Sequence, residues 1–212
     1  MELRRQRAGA EPGHPQAGIE LLVERVQGRY RTLQDFQARF VQRRLTRFGS
    51  IVLEKTGRLF VRPPGKMRWE YEDPEQLFVT DGEEMYLYLS ADNQVQVFKP
   101  ESQEMARTPT MYLAGKGDFL HDFDAEQTDW GTQLAPGNVQ VRLLPRSQDA
   151  PFSSLIMEIE PMQARVVRLV VLDQLNDNIE YQFHDEQVNV GFPDSLFEFH
   201  VPPGAEVVYI GG

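Results

Sequence analysis

The residues of this chain best suited to acid–base or metal chemistry fall in two short clusters. One is Asp81, Glu83 and Glu84; the other is His121, Asp122 and Asp124. Paired carboxylates can act as general acid and base, and a histidine set between acids can be oriented to ligate a metal. The surroundings favour a plainer role for both. Asp81-Gly82 is a hairpin-turn dipeptide with solvated flanks, and "HDFD" lies in a polar loop ahead of a strand. The four histidines are scattered and form no HExxH pair. No G-x-S-x-G elbow, phosphate loop or dinucleotide glycine pattern occurs, and "GKGDF" lacks the spacing of a phosphate loop. The sequence has no cysteine, which excludes disulfides, thiolate metal sites and a thiol nucleophile. No enzyme activity, metal or cofactor is expected.

The chemistry that remains is apolar. Met67, Trp69 and Tyr71 alternate with Lys66, Arg68, Glu70 and Glu72, so a strand here carries one apolar and one charged face. In any β protein that apolar face could be ordinary core. Met105, Met111, Tyr112 and Leu113 form a second apolar group, in a stretch with no period-two pattern. There the choice is between a helix that completes the core and one that swings.

The elements that position these groups follow from periodicity. From Gly18 to about Leu33, apolar residues fall at Ile19, Leu22, Val23, Val26, Tyr30 and Leu33, the spacing of a helix with one buried face. The period then becomes two, with Phe36, Ala38 and Phe40 opening a strand. Strand patterns follow at 50–62, 66–72, 76–80, 84–90 and 94–99, closed by Pro63-Pro64-Gly65, Asp73-Pro74, Asp81-Gly82 and Ala91-Asp92-Asn93. Connections this short predict antiparallel neighbours. A short helix is expected between Pro109 and Gly115/Gly117, then strands near 123–128, 139–145, 155–160, 166–173, 178–184 and 197–201. Residues 1–17 read as a disordered leader or processing remnant, and 18–212 as one domain.

The predicted fold class is therefore mainly β (α+β): one large, strongly curved antiparallel sheet of roughly a dozen strands, which must curl, close or split, with helices packed on the concave side. A net charge of −10 disfavours nucleic acid and anionic membrane surfaces as partners unless a local basic patch overrides it, no such patch dominates the sequence, and no apolar run is long enough for a spanning helix.

Four stretches carry a resemblance. "FQARFVQ", "GRLFVRPPGKMRWEYEDPEQLFVTDGEEMYLY", "TPTMYLAGKGDF" and "FEFHVPPGAEVV" together resemble the periplasmic outer-membrane lipoprotein carrier family, the LolA-like proteins, from about Gly18 to Val208. The resemblance implies an unclosed, strongly curved antiparallel β-barrel of roughly eleven or twelve strands with a helical lid, and a chaperone that holds the acyl chains of lipoproteins in its hydrophobic cavity. Such proteins carry their cargo from an inner-membrane lipoprotein-releasing ABC transporter to an outer-membrane receptor. It implies a periplasmic location, a monomer, and cavity lining by Met67, Trp69, Tyr71, Met105, Met111, Tyr112 and Leu113. The lid would be residues 103–120 together with the helix 18–34. In the family an arginine directly before the turn proline helps latch the lid. Here Pro63 holds that position, so the resemblance leaves Arg62 and Arg68 as latch candidates. A carrier or sensor of another lipid on the same fold, and a lipid hydrolase using the acidic cluster, are the alternatives.

Overall fold

The structure is a computed structural model that describes residues 15–46, 48–98, 109–175 and 177–210. A long helix, α1 (Pro15–Thr32), is followed by β1 (Phe36–Leu45), β2 (Ile51–Arg62), β3 (Lys66–Glu72), β4 (Glu75–Thr80), β5 (Met85–Leu89) and β6 (Gln94–Phe98). A 3-10 segment, Pro109–Ala114, and a one-turn helix, α2 (Phe119–Asp122), interrupt the strands. Then come β7 (Phe123–Gln127), β8 (Val139–Pro145), β9 (Ser154–Glu160), β10 (Arg165–Leu172), β11 (Asn178–Val188) and β12 (Glu206–Ile210).

All twelve strands belong to one sheet, ordered β12-β6-β5-β4-β3-β2-β1-β11-β10-β9-β8-β7. Its two edge strands, β7 and β12, do not pair with each other, so the barrel is unclosed as the resemblance implies. The expected strands recur almost residue for residue from β2 to β10, because each is bounded by a turn residue that fixes or tolerates an unusual φ. Gly65 at φ 79° and Gly82 at φ 100° close two of those turns.

Three expectations are corrected. The helix starts at Pro15, so residues 15–17 are helical; proline suits the first helical position because its missing N–H has no partner there anyway. The remainder of the expected leader lies outside the described residues. No strand forms at 197–201. Asp194–Phe197 is a 3-10 turn, and the chain beyond it crosses the outer face with Phe199 stacked on Tyr86 at 5.0 Å. Its alternating aromatics pack downward onto the sheet instead of pairing, and Pro202-Pro203 removes two ladder donors. The final strand is β12, and it runs parallel to β6, which makes one pair of an otherwise antiparallel sheet parallel. The long connection from β11 over the outer face permits that direction.

The core lies on the concave side. Ile19, Leu22, Val23, Val26 and Tyr30 of α1 meet Leu143, Leu155, Met157 and Leu169 of the sheet, and Phe36, Phe40, Leu59, Met67 and Trp69 continue the same cluster. Because α1 packs on β7, β10, α2 and the 3-10 segment, it fills one half of the concavity. On β3 to β5 the inward residues Tyr71, Phe78 and Leu87 stay only partly buried.

Two coverings hold the convex face. Asp35, itself buried, accepts from the backbone N–H groups of Val190 (2.6 Å), Gly191 (3.0 Å) and Phe192 (2.8 Å), which anchors the segment after β11. The β7–β8 loop folds back so that Trp130 covers Arg168, with the guanidinium 5.6 Å from the ring centroid.

Gly57 shows how closely β1, β2 and β3 approach. A Cβ there would lie 2.0 Å from the Glu70 carbonyl oxygen and 2.7 Å from the Phe40 ring. A backbone oxygen held in a ladder cannot retreat, so Gly57→Ala is expected to cost about 3 kcal/mol, at the top of the overpacking range. Urea melts check this; a loss under about 1 kcal/mol, the ordinary size for a point mutation, would contradict it.

Candidate functional site

The unfilled half of the concavity holds a cavity of about 240 Å³, walled by Trp69, Tyr71, Phe78, Leu87 and Tyr181, with Thr110 of the 3-10 segment at its side. Period two on β3, β4, β5 and β11 turns these residues inward. The rings form a continuous set. Phe40 meets Trp69 edge-on at 4.8 Å and Tyr71 at 5.0 Å, Trp69 lies 5.4 Å from Tyr181, and Tyr181 stacks on Phe183 at 6.5 Å. Burial pushes the Tyr181 hydroxyl up to about 12, and burial, with Tyr181 as neighbour, raises that of Tyr71 as well. Both stay neutral in any ordinary buffer.

The mouth is polar. Gln42, Lys55 and Gln76 line it, with the Lys55 ammonium 2.8 Å from Gln76 Oε1 and 5.4 Å from the Tyr71 centroid. An apolar interior with a cationic, amide-bearing rim suits an amphiphile that buries its hydrocarbon and leaves its head in water.

The 3-10 segment closes one side. Met111 and Leu113 are buried in the core, while Tyr112 is half-buried, stacks on Phe119 at 4.8 Å and donates its hydroxyl to Asp122 at 2.8 Å. Among the described residues, few bonds tie the segment to the sheet. The Gly65 N–H donates to the Ala114 carbonyl at 2.8 Å, and the Lys116 ammonium donates to the Gly82 carbonyl. Pro63 packs so closely that a Cβ on Gly115 would sit 3.4 Å from its own Cβ. From α1, Gln27 accepts from the Phe119 N–H at 2.7 Å, and both Gln27 and Arg31 donate to the Gly117 carbonyl at 2.9 Å.

The structure thus brings Met67, Trp69, Tyr71, Met111, Tyr112 and Leu113 into one cluster. Met105 lies outside the described residues. Arg62 and Arg68 are not part of that cluster and engage other partners. Arg62 pairs with Asp194 and lies 5.5 Å from the Phe197 ring; Arg68 pairs with Glu70 at 2.8 Å and donates to the Leu196 carbonyl at 3.3 Å. Both point to the convex face, where strand alternation sends them.

Phe78, Leu87, Tyr181 and Phe183 were open to discovery from the parity of their strands. Lys116 and the Gly65–Ala114 bond left no local signal, since each joins residues far apart in the chain.

The two acidic clusters are structural. Asp81 Oδ1 accepts from the N–H groups of Glu83 (2.8 Å) and Glu84 (2.9 Å), closing the β4–β5 turn. Asp122 accepts from the Asp118 N–H and lies 2.8 Å from His121 Nδ1, while Asp124 pairs with Arg146 at 2.9 Å.

One carboxylate predicts a pH effect. Lys66, then Arg62, holds the Asp194 carboxyl below the usual range. A depressed folded value means its stabilisation is complete above the unfolded value of about 3.9 and is lost as pH falls through the lower folded one. Below about pH 4, amides of 190–199 are therefore expected to exchange faster while those of β9 and β10 stay protected, by hydrogen–deuterium exchange.

The family model for the outer membrane lipoprotein carrier protein LolA matches residues 31–200. The chain belongs to the LolA family. That match runs from the end of α1 across the whole concave site and stops short of β12. An outer-membrane lipoprotein carrier protein of Chromohalobacter salexigens is 31% identical over 191 residues, covering 90% of this chain and 88% of the relative. One from Pseudomonas aeruginosa is 29% identical over 202 residues, covering 94% and 92%.

Solved structures share the LolA-like fold at lower identity. An uncharacterized conserved protein of Thermus thermophilus superposes with a TM-score of 0.58 at 17% identity, covering 91% of this chain and 99% of that one. MucB superposes at 0.54 and 15% identity, covering 91% and 66%.

Proposed function

We propose that this chain is a periplasmic chaperone that holds lipoprotein acyl chains in the concavity and carries them from an inner-membrane ABC transporter to an outer-membrane receptor. The observation that carries this reading is the half-filled concavity, with partly buried rings beneath a segment that, among the described residues, few bonds hold. The LolA family membership supports the same class of cargo.

Energetics require a lid that opens. A chain of roughly sixteen carbons gains on the order of 10 kcal/mol on leaving water, at about 0.8 kcal/mol per methylene. The 240 Å³ cavity is smaller than the sites that bury drug-sized ligands, about 300–1,000 Å³. Cargo must therefore displace the 3-10 segment, taking Met111 and Leu113 out of the core. Net affinity is burial of the acyl chain less the cost of that displacement, and closure of the segment is what drives release. The unbranched side chains of Met67 and Met111 let the walls repack around chains of different shape. No bond is made or broken.

The test is solubilisation of a triacylated lipopeptide, read by native mass spectrometry. A complex of protein and intact lipopeptide supports the reading. Phospholipid retained in its place would point to a carrier of another lipid, and a protein that keeps neither would overturn both.

The fastening makes a prediction opposite in sign to most substitutions. Lys116→Ala removes the ammonium bond to Gly82, worth about 1 kcal/mol at a partly exposed site, without touching the cavity. Acyl affinity should rise about fivefold, chiefly through slower release, as stopped-flow transfer to vesicles would show. Unchanged release would mean that the segment does not open there.

A further inference from the structure

The β1–β2 hairpin is built for something other than the cavity. Pairing between β2 and β3 ends at Gly57 with Tyr71, yet β2 runs on to Ile51. Residues 51–55 therefore project past β3 by about 17 Å at ~3.4 Å per residue. This projection carries aliphatic side chains in the open. Ile51 is 55% exposed, Val52 60% and Leu53 43%; at the tip Phe48 is 80% exposed, and Leu175, in the neighbouring β10–β11 turn, 76%. The register of Leu45 with Asn178 and Ile51 puts the two turns at the same end of the barrel.

Alternation places Ile51 and Leu53 on one face of the strand and Val52 on the other. A groove in a protein, or a strand added along the edge, would cover one of those faces. A lipid interface surrounds both. The charge fits as well. Between residues 43 and 55, Arg43, Arg44, Arg47 and Lys55 stand against Glu54 alone, in a chain of net charge −10. Arg43 is paired with Glu54 at 2.7 Å, and Arg44 is exposed. The Asp173 carboxylate in the adjacent turn is engaged with the N–H groups of Leu175 and Asp177.

We propose that the tip of this hairpin inserts shallowly into an anionic lipid bilayer, with Ile51, Val52 and Leu53 among the headgroups and acyl boundary and Arg44 against lipid phosphates. Apolar side chains flanked by cations are the signature of interfacial binding, and each partner term alone is weak. The mouth residues Gln42 and Lys55 belong to the same hairpin, so insertion brings the cavity to the surface where lipid is exchanged. The proposal rests on the hairpin and stands whether or not the cavity carries acyl chains.

The experiment is co-sedimentation of the full chain with vesicles of equimolar phosphatidylglycerol and phosphatidylcholine, and with phosphatidylcholine alone. Wild type should pellet with the anionic vesicles and be released by high salt, as expected for a screened surface attraction. The triple variant Ile51→Ser, Val52→Ser, Leu53→Ser alters exposed positions only and should keep its thermal midpoint while losing roughly tenfold or more in vesicle affinity. A Phe48→Trp reporter should shift its emission to the blue on binding. Equal binding by wild type and triple variant overturns the proposal, as does binding to neither vesicle. Equal binding to both vesicle types overturns its anionic part. A concentration-dependent dimer abolished by the triple variant, without vesicle binding, would assign the tip to a second copy of the chain.

Discussion

Glu158→Ala is expected to lower stability by about 3–5 kcal/mol. The Glu158 side chain is fully buried, and its carboxylate meets Arg168 at 2.5 Å. It also accepts from the Leu134 N–H at 2.6 Å and from Asn138 Nδ2 at 2.7 Å. One carboxylate thus joins β9 to β10 and pins the β7–β8 loop over both. Removing it leaves the Arg168 guanidinium, 6% exposed, with Glu180 at 3.8 Å as its remaining acidic neighbour. The cost comes chiefly from that stranded charge, since water cannot reach it to compensate. Two measurements separate this account from a simple loss of packing. In denaturant melts the single variant should fall by the stated amount, whereas Glu158→Met with Arg168→Leu should recover most of it, because an apolar pair needs no partner. A double variant as unstable as the single one would show that the ion pair is not the cause.

Leu87→Glu should abolish acyl binding and leave the fold standing. Leu87 points from β5 into the cavity beside Trp69 and Phe78, and it is only partly buried, so a glutamate there keeps access to water when the site is empty. An acyl chain entering the cavity would remove that access. The carboxylate must then lose its hydration or be protonated, a penalty of several kcal/mol set against the chain's burial. A fall of roughly a hundredfold or more in lipopeptide affinity is expected, equal to about 2.7 kcal/mol. The thermal midpoint should move by only a few degrees, since the core around α1 is untouched. Retained affinity would place the acyl chains elsewhere. Together with the rise in affinity expected for Lys116→Ala, the pair separates the cavity from its fastening: one substitution blocks the space and the other loosens the cover.

Much of this was legible in the residues. Ile19, Leu22, Val23, Val26 and Tyr30 announce the buried stripe of α1, and the turn residues from Pro63 to Asn93 mark off β2 to β6 almost to the residue. The alternation of Met67, Trp69 and Tyr71 assigns an inward face before any neighbour is known. The site was harder to read. Phe78, Leu87 and Tyr181 obey the same parity but lie on strands far apart in sequence, and nothing local says that their inward faces converge. "FEFHV" alternates as a strand would and is none, because Phe197 and Phe199 pack flat against Arg62 and Tyr86 while the backbone crosses the strands beneath. Local period reports which side chains point together; it is silent about whether a backbone neighbour exists to pair with.

By itself the sequence determined the mainly β, curved-sheet architecture, the helix on its concave side and the apolar faces of the strands. Those depend on φ preferences and on periods of two and 3.6, which act over a few residues. Tertiary structure alone decided that β12 runs parallel to β6 and that Arg62 and Arg68 serve the convex face. It alone set Pro63, Gly65 and Lys116 to hold the 3-10 segment, and it left the β1–β2 hairpin standing clear of β3. Each of these is a meeting of distant segments, fixed by which surfaces must leave water together once the sheet has curled.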